Sequence, residues 1–438
     1  MSRDLKPYPA YKASGVEWLE KIPKHWESKR VKYISHFQYG DSLPDEARED
    51  GDIQVFGSNG PVGTHSKANT VAPTLIIGRK GSYGKINYSE LSCFAIDTTY
   101  FVDSRSSKAN LRWLWYGLSA LGLDTFSQDS AVPGLSREHA YEKWLPEPPA
   151  KEQRAIAAFL DRETAKTDAM VGKKERLIEL LQEKRVALIA NAVTKGLDPV
   201  VPMKDSGVEW LEKIPAHWRG MPLKRWVAVK ITDGPHETPE ILPDGVPFIS
   251  AEAVQDGRIN FESKRGYISE ELHRQYCRKC KPQRDDLFLC KSGATTGKLA
   301  IVDTDEEFSV WSPLAQIRAN PKIAMARFLF HALQAEYIQD QIRRGWSAGT
   351  QPNIGMGIIE MIFVVAPPLE EQRVIVSVVD RETAKIDAMI AKVREGIEKL
   401  KEYRTALISA AVTGKIDVRG DLTEIDQVNP MPSRISAN

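Results

Sequence analysis

Residues 152–170 read EQRAIAAFLDRETAKTDAM, and residues 371–389 read EQRVIVSVVDRETAKIDAM. Thirteen of these 19 positions are identical at an offset of 219 residues, which excludes coincidence. Each copy follows a proline pair, Pro148-Pro149 or Pro367-Pro368, and opens a long helical segment. A second repeat frames the first. SGVEWLEKIPKHW at 14–26 returns as SGVEWLEKIPAHW at 206–218, twelve of 13 positions identical and 192 residues on. The order is therefore motif, variable stretch, helix, twice over. The two offsets differ by 27, so the second variable stretch is the longer. Constant framing around variable filling predicts one scaffold holding two different readers.

The helices carry a seven-residue pattern. In the first, Leu160, Thr167, Lys174, Leu181 and Leu188 fall seven apart, with Met170 and Leu177 between them. In the second, Val379, Ile386, Val393, Leu400 and Leu407 do the same, with Met389 between. Spacing near 3.5 describes a narrow seam and not a broad core-facing stripe. Thr167 and Lys174 weaken the first seam, so pairing with the more apolar second helix is expected. Spacing alone also fits a dimerisation coiled coil, but the duplication supplies each helix with a partner on its own chain. Gly196 and Gly414 stand where a helix stop belongs. The expected fold is α+β, with two globular domains separated by a pair of long antiparallel coiled-coil helices in an internal pseudo-twofold repeat. The expected boundaries are 1–150, 151–196, 197–369 and 370–416, with an irregular tail at 417–438.

The variable stretches read as mixed α/β. Short β-prone runs (Thr74–Ile77, Tyr100–Val102, Phe248–Ser250, Leu287–Cys290, Ile362–Ala366) are punctuated by glycine, asparagine and proline. Helices are expected at Leu111–Leu121 and Ala324–Arg343. Composition is that of an ordinary globular protein, 42% hydrophobic and 27% charged, with no apolar run near membrane-span length. The N-terminus lacks a signal-like apolar region, and Cys93, Cys277, Cys280 and Cys290 form no disulfide-like framework, so a cytoplasmic setting is expected. Net charge is +1, so any nucleic-acid surface must come from local clustering.

Such clusters exist. Arg79, Lys80 and Lys85 surround a Gly81…Gly84 turn after one β-prone run, and Lys291 and Lys298 surround Gly293…Gly297 after another. Neither is a Walker A loop, because the spacing is wrong and no Ser or Thr follows the Gly-Lys pair. Glycines let backbone approach a phosphate or groove, although a tight turn with solvated lysines is the plainer reading. Arg343, Arg344, Gln351 and Asn353 form a second set suited to guanine and adenine edges. The most basic cluster runs from His273 to Arg284 and includes Arg278 and Lys279. Cys277-x-x-Cys280 with His273 and Cys290 is a weak zinc pattern, since no second CxxC pair is present, and no metal site is expected. Pro243-Asp244 with Glu262-x-Lys264 matches the loose PD…ExK pattern of metal-dependent nucleases, but such short matches arise by chance and Pro243-Asp244-Gly245 reads first as a turn.

The two EQR…DRETAK helices, ending ALIANAVTKGLD and ALISAAVTGKID, resemble the repeats of Type I restriction-modification specificity subunits. SGVEWLEKIPxHW ahead of each variable stretch strengthens that resemblance, which spans roughly Ser14 to Val418. The resemblance implies two target-recognition domains, each reading half of a bipartite, asymmetric duplex DNA site, with the helices fixing the spacing. It implies two methylation subunits and two restriction subunits as partners, with S-adenosylmethionine, ATP and Mg²⁺ bound by those partners and none by this chain. It implies a non-catalytic chain in a complex with DNA adenine N6-methyltransferase and endonuclease activity, used in phage defence. The residues agree on the first point. An adenine methyltransferase needs an (Asp/Asn)-Pro-Pro-(Tyr/Phe) motif to hold the flipped base, and neither Asn320-Pro321-Lys322 nor Asn429-Pro430-Met431 supplies it. A free-standing nuclease on the PD…ExK residues is the alternative, and a subunit serving methylation alone is a third reading.

Overall fold

A computed structural model describes residues 6–125, 134–208, 211–346 and 352–421. By packing, the chain divides into two units, residues 1–175 with 394–438 and residues 176–393. Each unit therefore holds one variable stretch, the start of the long helix that follows it, and the end of the other long helix. Among the described residues no helix is long and apolar enough to cross a membrane.

The units repeat one topology. Unit 1 holds a four-stranded sheet in the order Gln38–Tyr39, Thr99–Val102, Thr74–Gly78, Ile86–Ser89. Unit 2 holds Thr232–Asp233, Leu314–Ile317, Leu287–Cys290, Leu299–Ile301 in the same order, and all pairings in both sheets are antiparallel. A three-stranded sheet recurs too. Ile53–Gly57 lies between antiparallel Gly60–His65 and parallel Phe94–Ala95, as Val246–Ile249 lies between antiparallel Gly266–Ile268 and parallel Ser309–Val310. The extra length of the second filling includes a small hairpin (Val254–Gln255 with Arg258–Ile259) and a helix (Glu270–Tyr276). Thr74–Gly78 and Leu287–Cys290 are buried at every position, which is why they read as unbroken apolar runs instead of alternating ones.

The expected helix over 324–343 is broken. Ala326–Gln334 and Glu336–Arg344 flank Ala335, which is extended at φ −67° and ψ 144°. The Gln339 side chain donates to the Leu333 carbonyl at 2.8 Å, taking the place of a lost helical partner.

The repeated motifs join to one another. In unit 1, Glu152 stands in the first turn of the long helix Ala150–Lys195 and gathers the His-Trp of the N-terminal motif. Trp26 Nε1 donates to it at 2.9 Å, Tyr8 Oη at 3.0 Å, and His25 Nε2 lies 2.6 Å away. In unit 2, Glu371 in the first turn of Leu369–Val412 receives Trp218 Nε1 at 3.1 Å and has His217 Nε2 at 2.6 Å. A carboxylate also suits the positive end of the helix dipole there. The next residue braces the variable stretch. Gln153 accepts from the backbone N–H of Asn110, the N-cap of helix Leu111–Ser119, and Gln372 accepts from that of Met325, which precedes Ala326–Gln334. Two turns on, Asp161 takes Arg112 Nε and Tyr116 Oη, while Asp380 takes Arg327 Nε and has His331 Nε2 at 2.8 Å. The shared Glu, Gln and Asp of the repeats are thus the fastenings between reader and helix.

Within each unit the two long helices run antiparallel. In unit 1, Arg404 Nε donates to Asp168 Oδ1 at 3.0 Å; in unit 2, Arg185 Nε lies 3.4 Å from Asp387 Oδ1. In both cases the paired residue numbers sum to 572, the constant expected of an antiparallel register. Of the seven-spaced residues, Leu160, Leu181, Val379, Ile386 and Leu407 are buried, and Leu188, Val393 and Leu400 are half-buried. The interleaved residues are a correction. Met170, Leu177 and Met389 are 50%, 43% and 42% exposed. The less exposed second row lies four residues after each seven-spaced position, not three, and consists of Thr164, Val171, Ile178, Arg185 and Ala192, then Thr383, Ile390, Ile397, Arg404 and Ala411. Thr164 and Thr383 sit there because each hydroxyl donates to a carbonyl of the preceding turn, which satisfies it without a partner across the seam. Both helices end as expected, at Gly196 (φ +75°) and Gly414 (φ +73°), where a Cβ on Gly414 would lie 2.5 Å from Pro23.

Candidate nucleic-acid interface

The two glycine-basic loops occupy the same place in the fold. The Gly78 N–H donates to the Lys85 carbonyl and the Gly84 N–H to the Gly78 carbonyl, as Cys290 does to Lys298 and Gly297 to Cys290, all at 2.8 Å. The Leu135 N–H donates to the Arg79 carbonyl and the Ile354 N–H to the Lys291 carbonyl. Isolated bridges pair Lys80 with Gly134 and Ser292 with Asn353. These matches equate Arg79 with Lys291, Lys80 with Ser292, Lys85 with Lys298 and Gly134 with Asn353. Gly81, Gly84, Gly293 and Gly297 all have φ between +72° and +90°, a region that strains any residue with a Cβ.

On this common backbone the side chains differ. Arg79 lies over the Tyr39 ring (5.0 Å to the centroid) and the Tyr100 ring (5.9 Å), and its Nη1 donates to the Asp97 carbonyl at 3.0 Å. Lys80 is exposed, and Lys85 Nζ donates to Asn59 Oδ1 and O at 2.8 and 2.9 Å. In unit 2, Lys291 Nζ sits 3.0 Å from Asp233 Oδ2, and Lys279 Nζ donates to Asp233 Oδ1 at 2.5 Å. Burial works against the charge of Asp233, but the two ammonium groups outweigh it and hold its carboxyl below the usual range. Lys298 and Arg278 are exposed. Arg343 is ion-paired with Glu336 and Asp340 on its own helix, so it does not stand as a spare cation. Arg344 ends that same helix, Asn353 joins the unit 2 loop through its bridge, and Gln351 lies outside the described residues.

Three residues of the site were not expected from the sequence: Tyr39, Arg137 and Asp233. Tyr39 and Asp233 end equivalent edge strands, each followed by a glycine (Gly40, Gly234) whose Cβ would lie 2.0 Å from a carbonyl oxygen. That shared strand–glycine step is the signal that marks them. Arg137 stacks on Tyr39 at 4.8 Å from the other side of the loop contact.

His273 Nδ1 is 2.8 Å from Ser309 Oγ, Cys280 Sγ donates to Gln316 Oε1, and Cys290 faces the Ala251 carbonyl inside an apolar cluster. Burial pushes the Cys280 and Cys290 thiols up to about 12 and about 11. Asp244 and Glu262 are exposed, Lys264 Nζ donates to the Phe261 carbonyl, and among the described residues no group of three His, Cys, Asp or Glu side chains is arranged to hold a metal.

The model of the Type I restriction modification DNA specificity domain matches residues 23–180 and again residues 237–399. The chain belongs to this family. Its role is DNA sequence specificity, as a recognition chain and not a catalytic one, and nothing in the site or the comparisons supports a nuclease. Among its relatives, the Type I restriction enzyme EcoBI specificity subunit of Escherichia coli is 24% identical over 352 residues, covering 78% of this chain and 73% of that one. The MjaVIII specificity subunit of Methanocaldococcus jannaschii is 23% identical over 301 residues, 68% of each chain. A chain in a structure describing complex assembly and conformational transition of the type I R-M system aligns with a TM-score of 0.67, covering 90% of this chain and 99% of that one. At 14% identity that likeness is one of fold.

Proposed function

We propose that this chain reads a bipartite, asymmetric DNA sequence, one half-site per unit, and assembles methylation and restriction subunits on it. The observation that carries the reading is the pair of backbone-equivalent glycine loops that present different side chains, Arg79 and Lys80 in one, and in the other Ser292 with Lys298 while Lys291 is held by Asp233. Equal frames with unequal reading groups give two half-sites of different sequence, and their phosphate contacts set register without specifying bases. On this reading residues 1–150 and 197–369 are the target-recognition domains, 151–196 and 370–416 the spacer helices, and 417–438 a tail. S-adenosylmethionine, ATP and Mg²⁺ belong to the partners, and the complex works in the cytoplasm.

The proposal of two identical methylation partners rests on the helix surfaces. Ala165, Lys166, Ala169 and Met170 are exposed, as are Ala384, Lys385, Ala388 and Met389, and the two sets are identical. Buried neighbours have diverged, Leu160 to Val379 and Thr167 to Ile386. Packing alone would preserve the buried positions first, so identical exposed surfaces with a methionine in each fit two copies of one protein partner.

The test is to express the chain with its methylation subunit in a methylation-free host, weigh the purified complex by native mass spectrometry, and map N6-methyladenine. Two methylation subunits per chain and a split, asymmetric motif with an undefined spacer are expected. An assembled complex that leaves a contiguous palindrome, or no new methylation, contradicts the reading.

A further inference from the structure

We propose that Arg79 reads a guanine in the half-site bound by unit 1, positioned by Tyr39 and Arg137, and that the equivalent place in unit 2 is closed to base readout by Asp233. This rests on the DNA-reading function above and adds which loop position carries specificity and which base class it takes.

The argument starts from equivalence. Arg79 and Lys291 occupy one backbone position, and Tyr39 and Asp233 end the strands beside them. A cation is therefore held in both units, but by opposite means. In unit 1 the holder is a π face. A guanidinium lying on a ring keeps its full charge and its in-plane N–H edge, whereas one facing a carboxylate has both engaged. Arg79 uses one of its five N–H groups on the Asp97 carbonyl, which fixes the plane and leaves the others to a ligand. A planar donor fork of fixed orientation is what the O6 and N7 acceptors of guanine require.

Arg137 adds a second guanidinium to the same Tyr39 ring and also lies over Tyr141, with the exposed Glu138 carboxylate 3.7 Å away. Two like charges beside a ring that is 47% exposed repel, and a polyanion set against them relieves that repulsion. Arg137 and Tyr39 are in this sense positioning residues for Arg79.

In unit 2 the same position is shut. Asp233, only 5% exposed, accepts from both Lys279 and Lys291 and has His236 Nε2 at 3.3 Å. The Lys291 side chain is 12% exposed. Withdrawing Lys291 would leave this buried carboxylate to the half-exposed Lys279 and the exposed His236 alone and would cost the better-buried of its two ammonium partners, so this lysine stays home. Reading in unit 2 then falls to other side chains of the loop, of which Lys298 is exposed.

The test uses the complex with its methylation subunit and three variants. Arg79→Lys keeps the charge and loses the fork. Tyr39→Ala removes the platform, and Lys291→Gln removes the buried cation of the other unit. The half-site belonging to unit 1 is identified by exchanging residues 27–149 for another reader. Mapping N6-methyladenine, we expect Arg79→Lys to make one guanine position in that half-site degenerate, a preference of about tenfold or more falling toward none. Tyr39→Ala degrades the same position, and Lys291→Gln leaves the bases of both half-sites as they were. Thermal unfolding of each complex separates loss of reading from loss of fold, because Arg79→Lys preserves the stacked stem and leaves the transition in place. A wild-type motif that survives Arg79→Lys unchanged, or has no guanine in that half-site, overturns this inference alone. A wild-type complex that methylates no sequence overturns the reading function and this inference with it.

Discussion

Replacing Glu152 by Ala destabilises unit 1 by about 3 kcal/mol, and replacing Glu371 by Ala destabilises unit 2 by roughly half as much. The asymmetry follows from who is left without an acceptor. In unit 1, Trp26 is fully buried and Tyr8 is 3% exposed, so truncation strands two buried donors. In unit 2, among the described residues, Trp218 alone is stranded inside the fold, because the His217 side chain is 44% exposed and is rehydrated, as is His25 at 42%. Each orphaned buried donor costs on the order of 1–3 kcal/mol. Glu152→Gln, which keeps one amide oxygen as acceptor, loses less. Denaturant unfolding with hydrogen exchange resolved by unit checks the order; equal losses in the two units would show that the clasp is not what fastens reader to helix.

Inserting seven residues into both long helices lengthens the spacer between half-sites by about three base pairs and leaves the half-sites unchanged. A heptad adds two turns, roughly 10 Å of rise, and base pairs stack every 3.4 Å or so. The register dictates where the insertions go. Paired numbers sum to 572, so a heptad after Val171 needs its match between Leu400 and Lys401. Inserting into one helix alone slides Leu181 away from Ile386 and Ile390 or Asp168 away from Arg404, and that variant loses stability and not merely spacing. The methylation motif of the double insertion reads the result. Altered half-site bases with an unaltered spacer would mean that the helices do not set the distance.

Much of this architecture is legible in the sequence because duplication prints the same physical constraint twice. Glu152 and Glu371, Gln153 and Gln372, Asp161 and Asp380 are repeated since each fastens a reader to a helix, and Gly196 and Gly414 since each helix stops against a Trp-bearing motif. The half of the seam that is not legible is polar. Thr164, Arg185, Thr383 and Arg404 occupy contact positions by bonding to their own helix or by pairing at its rim, so an apolar count prefers Met170, Leu177 and Met389, which face water. The break at Ala335 is silent as well, since alanine is the best helix former and the interruption lies between Leu333 and Ile338, two residues of one buried cluster, with no local pattern to mark it.

The candidate interface divides the same way. The glycines and basic residues of the loops announce themselves, since positive φ and close approach demand glycine. Their partners do not. Tyr39 lies 40 residues before Arg79 and Asp233 lies 58 before Lys291, so whether a cation is presented or neutralised depends on a strand pairing that no local pattern encodes. Arg343 is the instructive opposite, for Glu336 and Asp340 stand seven and three residues before it on one helix and claim its charge locally.

The central claim is that two independent readers share one frame, and exchanging residues 27–149 for the corresponding stretch of another reader tests it most directly. Expressed with the methylation subunit and mapped for N6-methyladenine, the exchanged chain should change one half-site and keep the other half-site and the spacer. A change in both half-sites would contradict the account.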